Sequence, residues 1–307
     1  MNFEEYLEEL ANGSKKLKIA DLQRLSGLTP EQSGQLAARW PDISLRRRRS
    51  IVRELTDLAE DNVELHFDAA FIVALSDDDP QVRLAAVRGL WENETPEMIG
   101  HLAVRTAEDS DPAVRAEAAL ALGRFVLLHE LGRLRERYFE RAEDALRRII
   151  DDTNELEDVR VRAIEAMGPH DTTWVRQAIT QAYESGRRRL KVSAVHAMGR
   201  SAEPRWLALV TRELMSEDAE LRYEAAVAAG TIADESIVAS LVPLVADPDD
   251  DVRMAAIAAL GEIGGTVARH ALNELLESAS RATRDAAAAA LAEIQSQEDP
   301  LGFRLGS

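Results

Sequence analysis

The chain has 307 residues, of which 55 are acidic and 37 are Lys or Arg, for a formal charge of −18. That charge repels duplex nucleic acid and anionic membrane surfaces at long range, so neither is an expected partner. Cysteine is absent, which excludes disulfides, thiolate zinc sites and cysteine nucleophiles, and no run of about 18 apolar residues marks a membrane helix.

In chain order, the acidic start Met1-Asn2-Phe3-Glu4-Glu5-Tyr6-Leu7 lacks the basic and apolar regions of a secretory leader, which points to a soluble, cytoplasmic protein. Phe3 to Leu10 and Lys16 to Leu25 carry helical apolar spacing. Thr29-Pro30-Glu31-Gln32 is a capping-box start, followed by Leu36 and Trp40. Together they predict an N-terminal helical cap over residues 1–44. Leu45 to Glu60 reads as a degenerate repeat that opens with the basic cluster Arg46 to Arg49.

From there one pattern recurs: an apolar residue, Arg, two variable positions, Ala, an apolar residue, a variable one, a small one, an apolar one and Gly. It starts at Val82, Val114, Val159, Leu190, Leu221, Val252 and Thr283, so the last four intervals are all 31 residues. That is the length of two short helices and their turns. Acidic turns precede most copies, as in Asp77-Asp78-Asp79-Pro80, Asp109-Ser110-Asp111-Pro112 and Asp247-Pro248-Asp249. Asp caps first-turn amides and suits the helix dipole, while Pro is at home in the first helical position. On a helical wheel, offsets 0, 4, 7 and 8 form one core stripe whose Ala and Gly allow close helix approach. Trp91 breaks the pattern by standing where the next five copies have Gly and the last has Ala292. The other helix of each pair is visible at Trp206 to Met215 and Glu235 to Val245.

The D-x-D-x-x-V-R-x-x-A-x-x-A-L-G pattern, over roughly Ser76 to Ile294, resembles the short HEAT-like repeats associated with phycobilisome lyases. The resemblance implies an all-α fold: a right-handed alpha-alpha superhelix of the HEAT/ARM-like solenoid type with an N-terminal helical cap. The solenoid spans residues 45–295 in about 7–8 repeats, with an insertion near 125–152 and a C-terminal tail over 296–307. It also implies that each repeat Arg pairs with an Asp near the same turn, so that Arg83, Arg115, Arg160, Arg222, Arg253 and Arg284 form a structural ladder. The Ala-rich last repeat, Asp285 to Ala290, leaves an outer face for the tail Pro300 to Leu305 or for a second copy in a homo-oligomer.

Three departures from regularity carry the functional reading. The interval from Val114 to Val159 is 45 residues, and Phe125 to Leu134 continues a helical pattern into Tyr138 and Phe139. Arg187, Arg188 and Arg189 stand in a turn that is acidic elsewhere; a cluster of this kind suits carboxylate or phosphate, or else neutralises its acidic neighbours. Offsets 3, 6 and 10 of the second helices share one exposed side, which the resemblance places on the concave surface. There Arg88, Arg124, Arg162, His196 and Arg200 are interleaved with Glu92, Glu117, Glu165, Glu224 and Glu262. The expectation is a groove, richer in Arg in its first half, that takes a protein or peptide partner of acidic or mixed charge.

Enzyme signatures are wanting. No His pair has H-E-x-x-H spacing, and no P-loop, G-x-S-x-G elbow or dinucleotide fingerprint occurs. His129-Glu130 is a single pair, whereas deoxyhypusine hydroxylase, a HEAT-repeat enzyme, is implied to need several for its di-iron site. HEAT-like DNA glycosylases use basic grooves, against the acidity here. The sequence therefore predicts a non-enzymatic scaffold or adaptor without cofactor. The alternatives are a phycobilin-lyase-like or other enzyme-accessory subunit and a self-assembling structural protein.

Overall fold

The computed structural model describes residues 2–12, 17–278 and 280–298, and among them all regular structure is helical. The helices are α1 (Phe3–Ala11), α2 (Ile19–Leu22), α3 (Pro30–Arg39), α4 (Leu45–Asp61), α5 (Asp68–Ala74), α6 (Pro80–Gly89), α7 (Pro96–Glu108), α8 (Pro112–Glu130) and α9 (Glu136–Asp151). They continue with α10 (Glu157–Met167), α11 (Thr173–Glu184), α12 (Arg188–Ser201), α13 (Leu207–Glu213), α14 (Ala219–Ile232), α15 (Val238–Leu241), α16 (Asp250–Ile263), α17 (Gly265–Leu275) and α18 (Arg281–Glu298). None of the described helices is long and apolar enough to cross a membrane. The predicted tail, Pro300 to Leu305, lies outside the described residues.

The chain divides into two compact units, Met1–Ala166 and Met167–Ser307. In the first, Asn2 and Glu5 close a capping box on α1, and Thr29 and Gln32 close the one expected on α3. Trp40 anchors the cap through its indole N–H, which donates to Asp77 Oδ2 at 2.6 Å. The second predicted helix of the cap is shorter than its spacing suggests. It begins at Ile19 and closes in a 3-10 turn over Gln23–Leu25, with Leu22 and Leu25 buried.

The acidic turns act as expected. Asp79, Asp111, Asp218 and Asp249 cap α6, α8, α14 and α16 by accepting first-turn amides. The repeat Gly packs against an Ala of the following repeat. A Cβ added at Gly123 would stand 3.0 Å from Ala166 Cα, and one at Gly230 would stand 3.0 Å from Ala259 Cα. Any side chain there drives the helices apart.

The long interval is absorbed by lengthening. The α8 helix has 19 residues, against 14 in α12, α14 and α16, and α9 has 16. The chain reverses after α8 at Gly132, whose φ of 69° suits a residue without Cβ. In the second unit the first helices of two pairs are fragmented. Pro204–Trp206 precedes α13 as a 3-10 turn, and Val242–Ala246, containing Pro243, follows α15 as another. Proline lacks the amide that an α-helix interior needs. At the other end α18 runs to Glu298, three residues beyond the predicted limit of the solenoid.

Candidate interaction surface

The repeat arginines explain much of the chain's charge before any partner is invoked. Arg83 donates through Nη1 to the Asp77 carbonyl and through Nε and Nη2 to the Asp109 carboxylate of the next repeat. Arg222 does the same with the Ser216 carbonyl and the Asp247 carboxylate. Arg115 follows with the Asp109 carbonyl and Glu155. The ladder thus runs between repeats, whereas the resemblance implied pairing within one turn. Asp247 is held below the usual carboxylate range by Arg222, and Asp109 is also lowered: burial alone would raise it, but hydrogen bonds from Arg83 and the Asp111 amide prevail.

The other expected members differ. Arg253 and Arg284 donate to the main-chain carbonyls of Asp247 and Ser278, and Arg253 pairs locally with Asp250. The register position that should supply the next carboxylate holds Ser278. Arg160 reaches the Ile150 carbonyl at 3.2 Å. Lys191, the one Lys in the series, turns to buried Glu213 at 2.8 Å, because Ser216 occupies the register position of the ladder Asp. Tyr183 also donates to Glu213, and its phenol is pushed up to about 12 by burial and by that hydrogen bond.

The basic clusters are drawn into this framework as well. Arg48 lies 3.1 Å from Asp77, Arg49 forks onto Asp79, and Arg47 donates to the Asn12 carbonyl. Arg188 forks onto Asp218 and pairs with Glu220. Arg187 is the N-cap residue of α12, and Arg189 follows in its first turn. The neutralising reading of Arg188 therefore fits the geometry. Arg49 and Asp79 stand 30 residues apart, the same separation as Arg188 and Asp218, and so form a second kind of rung beside the ladder arginines.

On the exposed side of the second helices, most predicted contact residues are paired with glutamates. Arg88 bonds Glu117 at 3.0 Å, Arg162 bonds Glu165 at 2.7 Å, and His196 Nδ1 lies 3.0 Å from Glu224. Arg200 is exposed, and its Cβ lies where a side chain on Gly168 would go. Arg124 is different. Its Nη1 donates to the Trp91 carbonyl at 3.2 Å and its guanidinium lies 4.8 Å from the Phe125 ring centre. Burial lowers its pKa to about 10 against the opposing pull of Glu94 and Asp68.

Exposed apolar side chains accompany Arg124 on this side. Trp91 is 58% exposed, Leu120 and Leu127 on α8 are 40% and 38% exposed, and Leu131, the residue that caps the end of α8, is 59% exposed. Those leucines fall within about 40° of one another on the wheel, and Arg124 lies on the same side. The sequence reading of this face stopped at its charges and missed the leucines; the signal was there at offset 6 and in the extra turns of α8. His129, singled out with Glu130, stacks on Phe139 with ring centres 3.9 Å apart.

A family model described as HEAT repeats matches residues 68–167 and 207–292. Among solved structures, the chain is similar to one from the complex of CpcE and CpcF of phycocyanin lyase from Nostoc sp. PCC7120, at 17% identity over 92% of this chain and 96% of that one, with a TM-score of 0.54. It is also similar to human deoxyhypusine hydroxylase in complex with glycerol, at 17% identity over 95% and 97% of the two chains, with a TM-score of 0.39. Identities this low report fold and leave activity open. No curated protein sequence matches the chain.

Proposed function

The chain belongs to the HEAT-repeat family, and we propose that it is a non-enzymatic scaffold that binds a partner polypeptide on the exposed side of its second helices, chiefly along α8. The observation that carries this reading is the apolar surface of Trp91, Leu120, Leu127 and Leu131, exposed beside Arg88 and Arg124. A large aromatic and an arginine among aliphatic side chains is the composition enriched at the energetic centres of protein interfaces. Water-exposed leucines on a helix otherwise built to bury its apolar stripe cost solubility, so a binding role accounts for them. The similarity to a chain of the CpcE and CpcF complex agrees in fold with a solenoid that assembles with another protein.

The Arg-rich groove of the sequence reading contracts accordingly. Arg162 and His196 are engaged by their own glutamates, which leaves less charge to recognise a ligand. Apolar anchoring carries the affinity, and charge sets orientation. The test is capture from native extract by the wild-type chain and by a W91A/L127S double variant. Loss of one specific polypeptide with the double variant, at unchanged thermal stability, agrees with the proposal; equal recovery contradicts it. An enzyme-accessory subunit would instead copurify with a chromophore or metal visible in its absorption spectrum. A self-assembling protein would show a mass that rises with concentration.

A further inference from the structure

Arg124 holds the posture of the ladder arginines with one element missing. In Arg83, Arg115 and Arg222, Nη1 donates to a main-chain carbonyl while Nε and Nη2, the side-on edge of the guanidinium, donate as a pair to a carboxylate. In Arg124, Nη1 again takes a carbonyl, that of Trp91, but Nε and Nη2 are shielded from water and meet no acceptor among the described residues. Leaving such a donor pair unmet is costly, and a guanidinium remains charged at neutral pH. The carboxylates nearest in influence are engaged elsewhere. Glu94 accepts from Arg133 at 3.2 Å, and Asp68 accepts from Asn93 at 2.8 Å.

Resting on the scaffold reading above, we propose that the Nε and Nη2 edge of Arg124 receives an Asp or Glu carboxylate of the partner polypeptide, presented by an amphipathic helix whose flanking apolar side chains seat on Trp91, Leu127 and Leu131. A carboxylate is the group that the same edge takes three times within this chain, and its planar fork matches the two parallel donors. Each acceptor that this edge takes elsewhere in the chain, Asp109, Glu155 and Asp247, is a side-chain carboxylate, which assigns an acidic side chain rather than a phosphate. A helix fits the length of the surface. Leu120 to Leu131 spans about 16 Å at 1.5 Å per residue, which matches three turns of a partner with anchors at i, i+3 and i+7. Seating the carboxylate uncovers the water-shielded Nε and Nη2 edge while Nη1 stays on the Trp91 carbonyl, a side-chain adjustment of the kind common on binding.

The test uses the full chain and a series of 14-residue, N-acetylated and C-amidated helical peptides with Leu flanking a central Glu, each matched by a peptide with Gln in its place. Affinity is read by anisotropy, and the Arg124 Nε–H resonance by NMR. The expected result is binding of the Glu peptides at least tenfold more tightly than of their Gln counterparts, a shift of the Arg124 resonance, and loss of the preference in R124Q but not in R162Q. Equal affinity of Glu and Gln peptides for the wild-type chain overturns the carboxylate assignment and leaves the docking surface standing. Binding that survives unchanged in W91A/L127S, or the failure of every peptide to bind, overturns the proposal; the extract capture then decides separately whether the scaffold reading survives.

Discussion

Arg83 and Asp109 meet across a repeat boundary in a two-pronged ion pair, Nε at 2.8 Å and Nη2 at 2.6 Å, with the Asp109 side chain wholly closed to water. The pair also ties two turns together, because Arg83 holds the Asp77 carbonyl and Asp109 accepts the Asp111 amide. Removing the carboxylate strands a buried guanidinium, so D109A is expected to cost about 3–5 kcal/mol. Loss of the half-buried cap in D249A is expected to cost only about 1 kcal/mol. Denaturant unfolding of the two variants checks the difference, and equal losses would contradict the ladder.

Acid should dissolve the same ladder. Asp109 and Asp247 have folded pKa values below their unfolded ones, so the stability they add is complete above the unfolded value, about 3.9, and is lost as pH falls through the folded value. The stability gap between wild type and D109N is therefore predicted to be large at pH 7 and to shrink steadily below about pH 4. A gap that stays constant to pH 2 would show that the pair does not titrate as the geometry requires.

Two glycines should respond oppositely to the same change. At Gly230 a methyl group meets the Ala259 backbone, so G230A is expected to destabilise by about 1–3 kcal/mol through overpacking. At Gly34, inside α3, nothing lies within 4 Å, and G34A should stabilise by about 0.5–1 kcal/mol. Thermal melts of both variants report the sign directly.

The ends of α12 and α14 are closed by Ala202 and Ala233 in the left-handed region, at φ 53° and 55°. Alanine pays roughly 1 kcal/mol for that conformation, and glycine does not. A202G and A233G are each expected to raise the melting temperature, and a fall in both would mean that the two methyl groups contribute packing that outweighs the strain.

The fold was legible because it repeats: equal 31-residue intervals, Asp before Pro or Val-Arg, and Ala and Gly at fixed offsets all bear on one arrangement. What escaped the sequence lies where repeats meet or end. That Arg83 would choose Asp109 of the next repeat over an Asp of its own turn depends on helix stacking, which spacing does not encode. Lys191 at an Arg position and Ser216 at an Asp position are the two halves of one missing rung, which becomes apparent only when the repeats are stacked. The candidate surface was half visible. Arg88 and Arg124 stood out by charge, but their different fates, one paired with Glu117 and one with an unmet edge, follow from burial beside the turn that carries Trp91.

The claim that α8 and Trp91 form a polypeptide-binding surface is tested most directly by placing a photo-crosslinking residue, benzoylphenylalanine, at position 91, 127 or 101 in the native host. Positions 91 and 127 lie on the proposed surface, and exposed His101 lies on α7, the first helix of its pair. The account predicts one shared polypeptide adduct at 91 and 127 and none of that mass at 101. The same adduct at all three positions, or at 101 alone, would contradict it.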